Sequence, residues 1–129
     1  MKLDRVEDIN EYHDSVIRIW DFSRDDLAAL VDAFSEIVSG ATSQLELRTR
    51  TRLENVDGTQ LIIAVSDVDK GVVTGEQPDI FWCRLTSHTW MQNITSIQHL
   101  MENDFTRGYH WLHNCNVPYE LLLSFSGKW

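Results

Sequence analysis

A chain of 129 residues supplies one domain and is long enough to bury roughly two-thirds of its unfolded surface without disulfides or a structural metal. Its 43% apolar and 24% charged content is that of ordinary globular proteins, which excludes a disordered chain, and its longest wholly aliphatic run, residues 61–65, is far short of the roughly 20 needed to cross a bilayer. The net charge of −9 is concentrated near the N-terminus: residues 1–40 hold ten carboxylates against four Lys or Arg, and residues 81–129 three of each, which disfavours nucleic acid and membrane surfaces and favours a basic protein partner.

Residues 1–14 are polar and acidic, contain no apolar signal-peptide core, and predict a loosely ordered lead-in to structure that starts at Ser15. Residues 16–22 (VIRIWDF) are β-branched and aromatic and predict a first strand. Ser23 followed by Asp25 and Asp26 then offers a capping hydroxyl and negative charge for a helix N-terminus. Leu27, Leu30, Val31, Phe34, Ile37 and Val38 recur at helical spacing, and Gly40 stands where a left-handed terminator belongs.

Strict alternation over 43–54, with Leu45, Leu47, Thr49, Thr51 and Leu53 on one face, predicts a half-wet antiparallel strand. Asp57-Gly58 predicts a hairpin turn returning through 59–66. A turn at 67–71, a brief strand at 72–74, a break at 75–78 and a strand at 80–85 (IFWCRL) follow. Trp90, Met91, Ile94, Ile97 and Met101 place a second helix between Ser87 and Asn103, capped by Ser87 or Thr95. Residues 109–115 and 119–125 predict a closing hairpin. The order β-α-β-β-β-β-α-β-β predicts an α+β domain over 1–129: a mainly antiparallel sheet of about five to seven strands with two helices on one face.

Two cysteines in apolar strand-like stretches, Cys83 and Cys115, point to a reducing, cytoplasmic setting rather than a disulfide framework. Asn93-Ile94-Thr95 fits the glycosylation pattern, which carries no weight in that setting. The densest chemical cluster is His110-Trp111-Leu112-His113-Asn114-Cys115. Period-two geometry places His113 and Cys115 on one strand face and His110 on the other, too few convergent ligands for zinc even with Cys83 alongside, so no metal is expected. Cys115 with His113, His88 or His99 as base would make a nucleophilic pair, but a packed structural cysteine is the commoner outcome.

Asp67-x-Asp69-x-Gly71 has the opening of a calcium loop but Val72 and Pro78 at the positions requiring glycine and glutamate, and reads as a polar turn. Arg48, Arg50 and Arg52 would line one strand face between Glu46 and Glu54 and pair with local acids. Phosphate-loop and dinucleotide glycine patterns are missing, so no cofactor is expected.

Asp25, Asp32 and Glu36 fall on one stripe of the first helix with Ala29 and Ala33 between them, a surface that a cationic partner could approach closely. Trp129 offers an aromatic anchor or docks on the sheet. The leading expectation is a non-catalytic acidic binding module, of the inhibitor or toxin-immunity type, that masks a basic protein through Asp25, Asp32, Glu36 and Trp129. The alternative is a small-molecule binder or small enzyme whose pocket lies between the sheet and the second helix, lined by His88, His99, His110, His113 and Cys115. A homo-oligomer assembled through an edge strand is a third reading.

Overall fold

The computed structural model describes residues 1–7, 15–103, 108–113 and 119–124; Cys115 and Trp129 lie outside them. The fold is α+β, with two helices and a sheet of nine strands. In chain order these are β1 (Lys2–Val6), β2 (Ser15–Trp20), α1 (Arg24–Val38), β3 (Gln44–Glu46), β4 (Glu54–Asn55), β5 (Gln60–Val65), β6 (Gly71–Thr74), β7 (Ile80–Leu85), α2 (Ser87–Glu102), β8 (Tyr109–His113) and β9 (Tyr119–Ser124). The strands run in the order β3-β5-β7-β6-β9-β2-β1-β4, with β8 beside β9 off that path. Five pairings are antiparallel and three parallel, so the sheet is mixed.

Both helices cover the sheet face that carries Ile17, Ile19, Ile63, Phe81, Cys83, Leu121 and Leu123, and a single core joins them. Helix α1 begins as its sequence predicts: the Ser23 hydroxyl accepts from the Asp26 amide, and the Asp26 carboxylate accepts from the Ser23 amide. Its Leu27, Leu30, Phe34 and Ile37 face inward at helical spacing. Trp90 of α2 is fully buried against Phe34, with ring centroids 4.7 Å apart, and its indole nitrogen donates to the Ala64 carbonyl at 2.9 Å. One side chain thus locks α2 to both α1 and β5.

Four expectations are corrected. Residues 2–6 form a strand rather than a loose lead-in. Only Leu3 of that strand reaches the core, which leaves little periodic signal, but its outer face is held by ion pairing in register with β2. Asp4 stands opposite Arg18 and accepts two guanidinium hydrogen bonds, at 2.9 and 2.6 Å.

The predicted strand over 43–54 survives only as β3; a single 3-10 turn at Leu47–Thr49 ends it. Thr49 donates its hydroxyl to the Glu46 carbonyl and Thr51 to the Leu47 carbonyl, so local side-chain bonds replace the ladder that alternation predicts. The Asp57-Gly58 turn is real, with Gly58 at φ +82°, but it leads from β4, which pairs in parallel with β1, into β5, whose antiparallel partner is β3. The Asp57 carboxylate accepts from the amides of Arg5 and Thr59 and so fastens the turn to β1.

The cap of α2 is Thr86, one residue before the predicted Ser87. Finally, β9 takes β2 on one side and shares its other side between two strands: β6 reaches it only at Tyr119, and β8 occupies Leu121 to Ser124. The sheet forks at this point.

Candidate functional site

Beside the fork, an open cleft of about 780 Å³ runs between α2 and β8. Helix α2 lines it with His88, Thr89, Gln92, Asn93 and Ser96 among others. The facing wall is His110, Trp111, Leu112 and His113 of β8, and Asp69 of the turn between β5 and β6 completes the lining. Of the residues expected to line a pocket in this place, the structure brings together His88, His110 and His113. His99 is exposed on α2 and does not line the cleft, since eleven residues of helix carry it about 16 Å beyond His88.

The convergence of His110 and His113 overturns the period-two argument. His110 stands opposite Leu123 and His113 opposite Leu121, with a bulge between Trp111 and His113 that inserts Leu112 as an extra residue. Directly opposed residues of an antiparallel pair share a face. Both imidazoles therefore lie on the side of Leu121 and Leu123, the side on which the helices pack. Without the inserted residue, His113 would have been turned to the far side of the sheet. Leu112 remains buried, which fixes the bulge in place by packing.

Burial pushes the imidazole pKa of His110 below its ordinary value and does the same for His113, where the Asp69 carboxylate pulls the other way without prevailing. Both rings are mainly neutral at pH 7. Burial pushes the Asp69 carboxyl up, but hydrogen bonds outweigh it and hold the group below its usual pKa. One of its oxygens accepts from the Thr86 amide at 2.7 Å and the other from the Thr89 hydroxyl at 2.7 Å. The acid that sequence spacing associates with a calcium loop thus clamps the first turn of α2, where negative charge also favours the helix dipole. Across the next turn of α2, His88 and Gln92 are hydrogen-bonded at 3.1 Å.

Asn93 is the residue that sequence reasoning missed. It lies between Trp90 and Ile97 on the buried stripe of α2, is 6% exposed, and lines the cleft, yet its amide nitrogen Nδ2 has no hydrogen-bond partner among the described residues. An unsatisfied buried donor costs about 1–3 kcal/mol. A polar residue at a core spacing, three after Trp90 and four before Ile97, was the signal available in the sequence.

Among the described residues, no three His, Cys, Asp or Glu side chains stand close enough to hold a metal ion. Cys83 is buried in β7 within the core. No helix of the described residues is long and apolar enough to cross a membrane.

The acidic stripe of α1 is differently placed. Asp25 and Asp32 are exposed, but Ala33 is buried in the core and Glu36 is half-buried in a two-pronged ion pair with Arg50, at 2.9 and 3.2 Å. Arg48 pairs with Glu46 at 3.4 Å, and Arg52 shares a shallow hollow with Asp25 and Asp26. The arginine row is broken up by the 3-10 turn, and Arg50 and Arg52 supply countercharge to α1 while Arg48 stays with β3. No protein-family model, curated protein or solved structure matches the chain.

Proposed function

We propose that this protein is a non-catalytic binding module whose ligand site is the cleft between α2 and β8. The observation that carries the reading is the bulge at Leu112, which turns His110 and His113 together to the side of the sheet on which α2 packs. Bulges that re-aim side chains gather beside functional sites, and the cleft volume falls within the roughly 300–1,000 Å³ usual for small-molecule pockets. Neutral imidazoles, a helix-bound carboxylate and the Ser96 hydroxyl equip the cleft to hold a polar ligand. The buried position of Cys83 supports binding over thiol chemistry among the described residues.

The test is nuclear magnetic resonance of the labelled protein against a broad fragment library. Ligands should move the signals of residues 88–96 and 109–113 together, and His110→Ala with His113→Ala should abolish those shifts while leaving the fold cooperative. A library that leaves both segments untouched would sink the reading.

A basic protein partner is the second reading, favoured by the net charge of −9 and by the exposure of Asp25 and Asp32. Its footprint would centre on those two carboxylates, since Glu36 is already paired. Binding that persists unchanged in Asp25→Asn with Asp32→Asn would remove it.

A further inference from the structure

The turn between β4 and β5 holds a pair of residues with a chemistry of its own. Asp57-Gly58 is the sole Asp-Gly or Asn-Gly pair in the sequence. A glycine amide nitrogen, with no side chain to obstruct it, reaches the carboxyl carbon of a preceding aspartate with little steric hindrance. We infer that Asp57-Gly58 is a site of spontaneous isomerisation to isoaspartate, and that the docking of β1 holds it silent in the native fold.

The reaction needs water alone. The Gly58 nitrogen attacks Cγ of the protonated Asp57 carboxyl, an N–Cγ bond forms, and one carboxyl oxygen leaves as water with the amide proton. The product is a succinimide, and water then adds to one of its two carbonyl carbons. Cleavage of the new N–Cγ bond restores aspartate. Cleavage between the Gly58 nitrogen and the Asp57 carbonyl carbon instead leaves the main chain running through Cγ, which is isoaspartate. The turn is open to that water: Asp57 and Gly58 are both exposed, and beyond the chain neighbours nothing among the described residues lies within 4 Å of where a Gly58 Cβ would stand.

The native contacts oppose the first step. Oδ2 of Asp57 accepts from the Arg5 amide of β1 at 2.9 Å, and Oδ1 accepts from the Thr59 amide at 3.0 Å. With both oxygens tied, the carboxyl group is hindered from turning its carbon toward the Gly58 nitrogen, which donates to the Asn55 carbonyl at 3.4 Å. Burial pushes the Asp57 pKa up, but the hydrogen bonds outweigh it and hold the group below its ordinary value, which depletes the protonated form that reacts. The Thr59 and Asn55 contacts are local to the turn. The Arg5 contact spans 52 residues and exists only while β1 is in place. Reaction therefore draws on the fraction of molecules in which β1 and the turn have parted. Once Cγ has entered the main chain, the carboxylate that accepted from Arg5 is lost, so each event leaves β1 less firmly held.

The experiment follows the full chain in heavy-oxygen water at neutral pH and body temperature. Each passage through the succinimide introduces one solvent oxygen, and peptide mapping locates the label and the isoaspartate. The parent unfolded in guanidinium should take up label at Asp57 at least tenfold faster than the folded parent. Arg5→Pro deletes the amide donor of β1; because that amide points to Asp57 and away from β2, the ladder between β1 and β2 is kept. The folded variant should react at least threefold faster than the parent, whereas Arg5→Ala, which keeps the amide, should match the parent. Should Arg5→Pro fail to fold, Asp4→Ala, which breaks the ion pair of β1 with Arg18, should accelerate the reaction in its place. A folded parent as fast as the unfolded chain, or an unfolded chain unreactive at Asp57, overturns the inference. So do loosened variants no faster than the parent, and Arg5→Ala as fast as Arg5→Pro.

Discussion

At α1 the polar groups answer one another: Ser23 and Asp26 exchange hydrogen bonds at its start, and Glu36 grips Arg50 further along. At α2 the start is equally well held, by Thr86 and by Asp69 reaching across from the turn before β6, but the middle of the helix is not. Asn93 buries an amide nitrogen there with no partner among the described residues, beside a cleft that also holds two imidazoles whose pKa burial lowers. Two helices of similar length on one core therefore differ in what is left over. Satisfied polar groups contribute stability, whereas an unsatisfied buried group costs it, and Asn93 shares that state with Trp20, Asn55 and Ser124 of the sheet.

The strongest way to break this contrast is to remove what the two helices share. Trp90→Ala deletes the ring packed on Phe34 and the hydrogen bond to Ala64, and should lower unfolding stability by about 3–5 kcal/mol in urea titrations. A smaller loss would mean that α1 and α2 are held independently. Capping variants separate the two starts. Asp69→Ala should cost about 1–2 kcal/mol, somewhat more than Ser23→Ala at about 1 kcal/mol, because it frees both the Thr86 amide and the Thr89 hydroxyl. The same variant should lower the His113 pKa further, since Asp69 is the charge that raises it; an imidazole titration by resonance checks the sign.

Asn93→Leu carries the opposite expectation, a gain of about 1 kcal/mol in the absence of ligand, because it replaces an unanswered buried donor by an apolar group. A clear loss would show that the amide serves the fold.

Acidity sharpens the contrast again. His110 and His113 have folded-state pKa values below their unfolded ones, so the unfolded chain binds more protons. Their contribution to stability is complete above about pH 6.5 and is lost as the pH falls from there through the folded values. Asp57 and Asp69, also lowered in the folded state, add their loss below about pH 4. Denaturation midpoints between pH 7.5 and 5.5 should fall for the parent and flatten when both histidines are Ala. The smallest effect belongs to Glu36→Gln, for which no measurable change in denaturation midpoint is expected, since its partner Arg50 is exposed and solvent screens the pair.

Sequence pattern captured elements whose signals agree at every level. Helix α1 has a cap, a period and a terminating Gly40 at φ +82°, and β5 and β7 are dense in aliphatic or aromatic side chains. It failed where pairing partners decide. Strand β1 has one inward apolar residue and exists because Arg18 and Glu54 stand beside it in register. Alternation over 43–54 was outweighed by two threonine hydroxyls bonding back to carbonyls. The pocket between sheet and second helix was legible in outline, with three of its histidines named. Its decisive detail was not, because whether His110 and His113 share a face depends on one inserted residue, set by the fit of β8 to β9 rather than by any property of YHWLH alone.

The parallel pairing of β2 with β9 sets a condition on how this chain acquires its shape. Ile17 finds its neighbour Leu121 only after all the intervening chain has been made. Until then one whole side of β2 offers unpaired amides and carbonyls, and the hydrophobic surface meant for the last strand stays bare. Folding should thus be slow and governed by this distant closure.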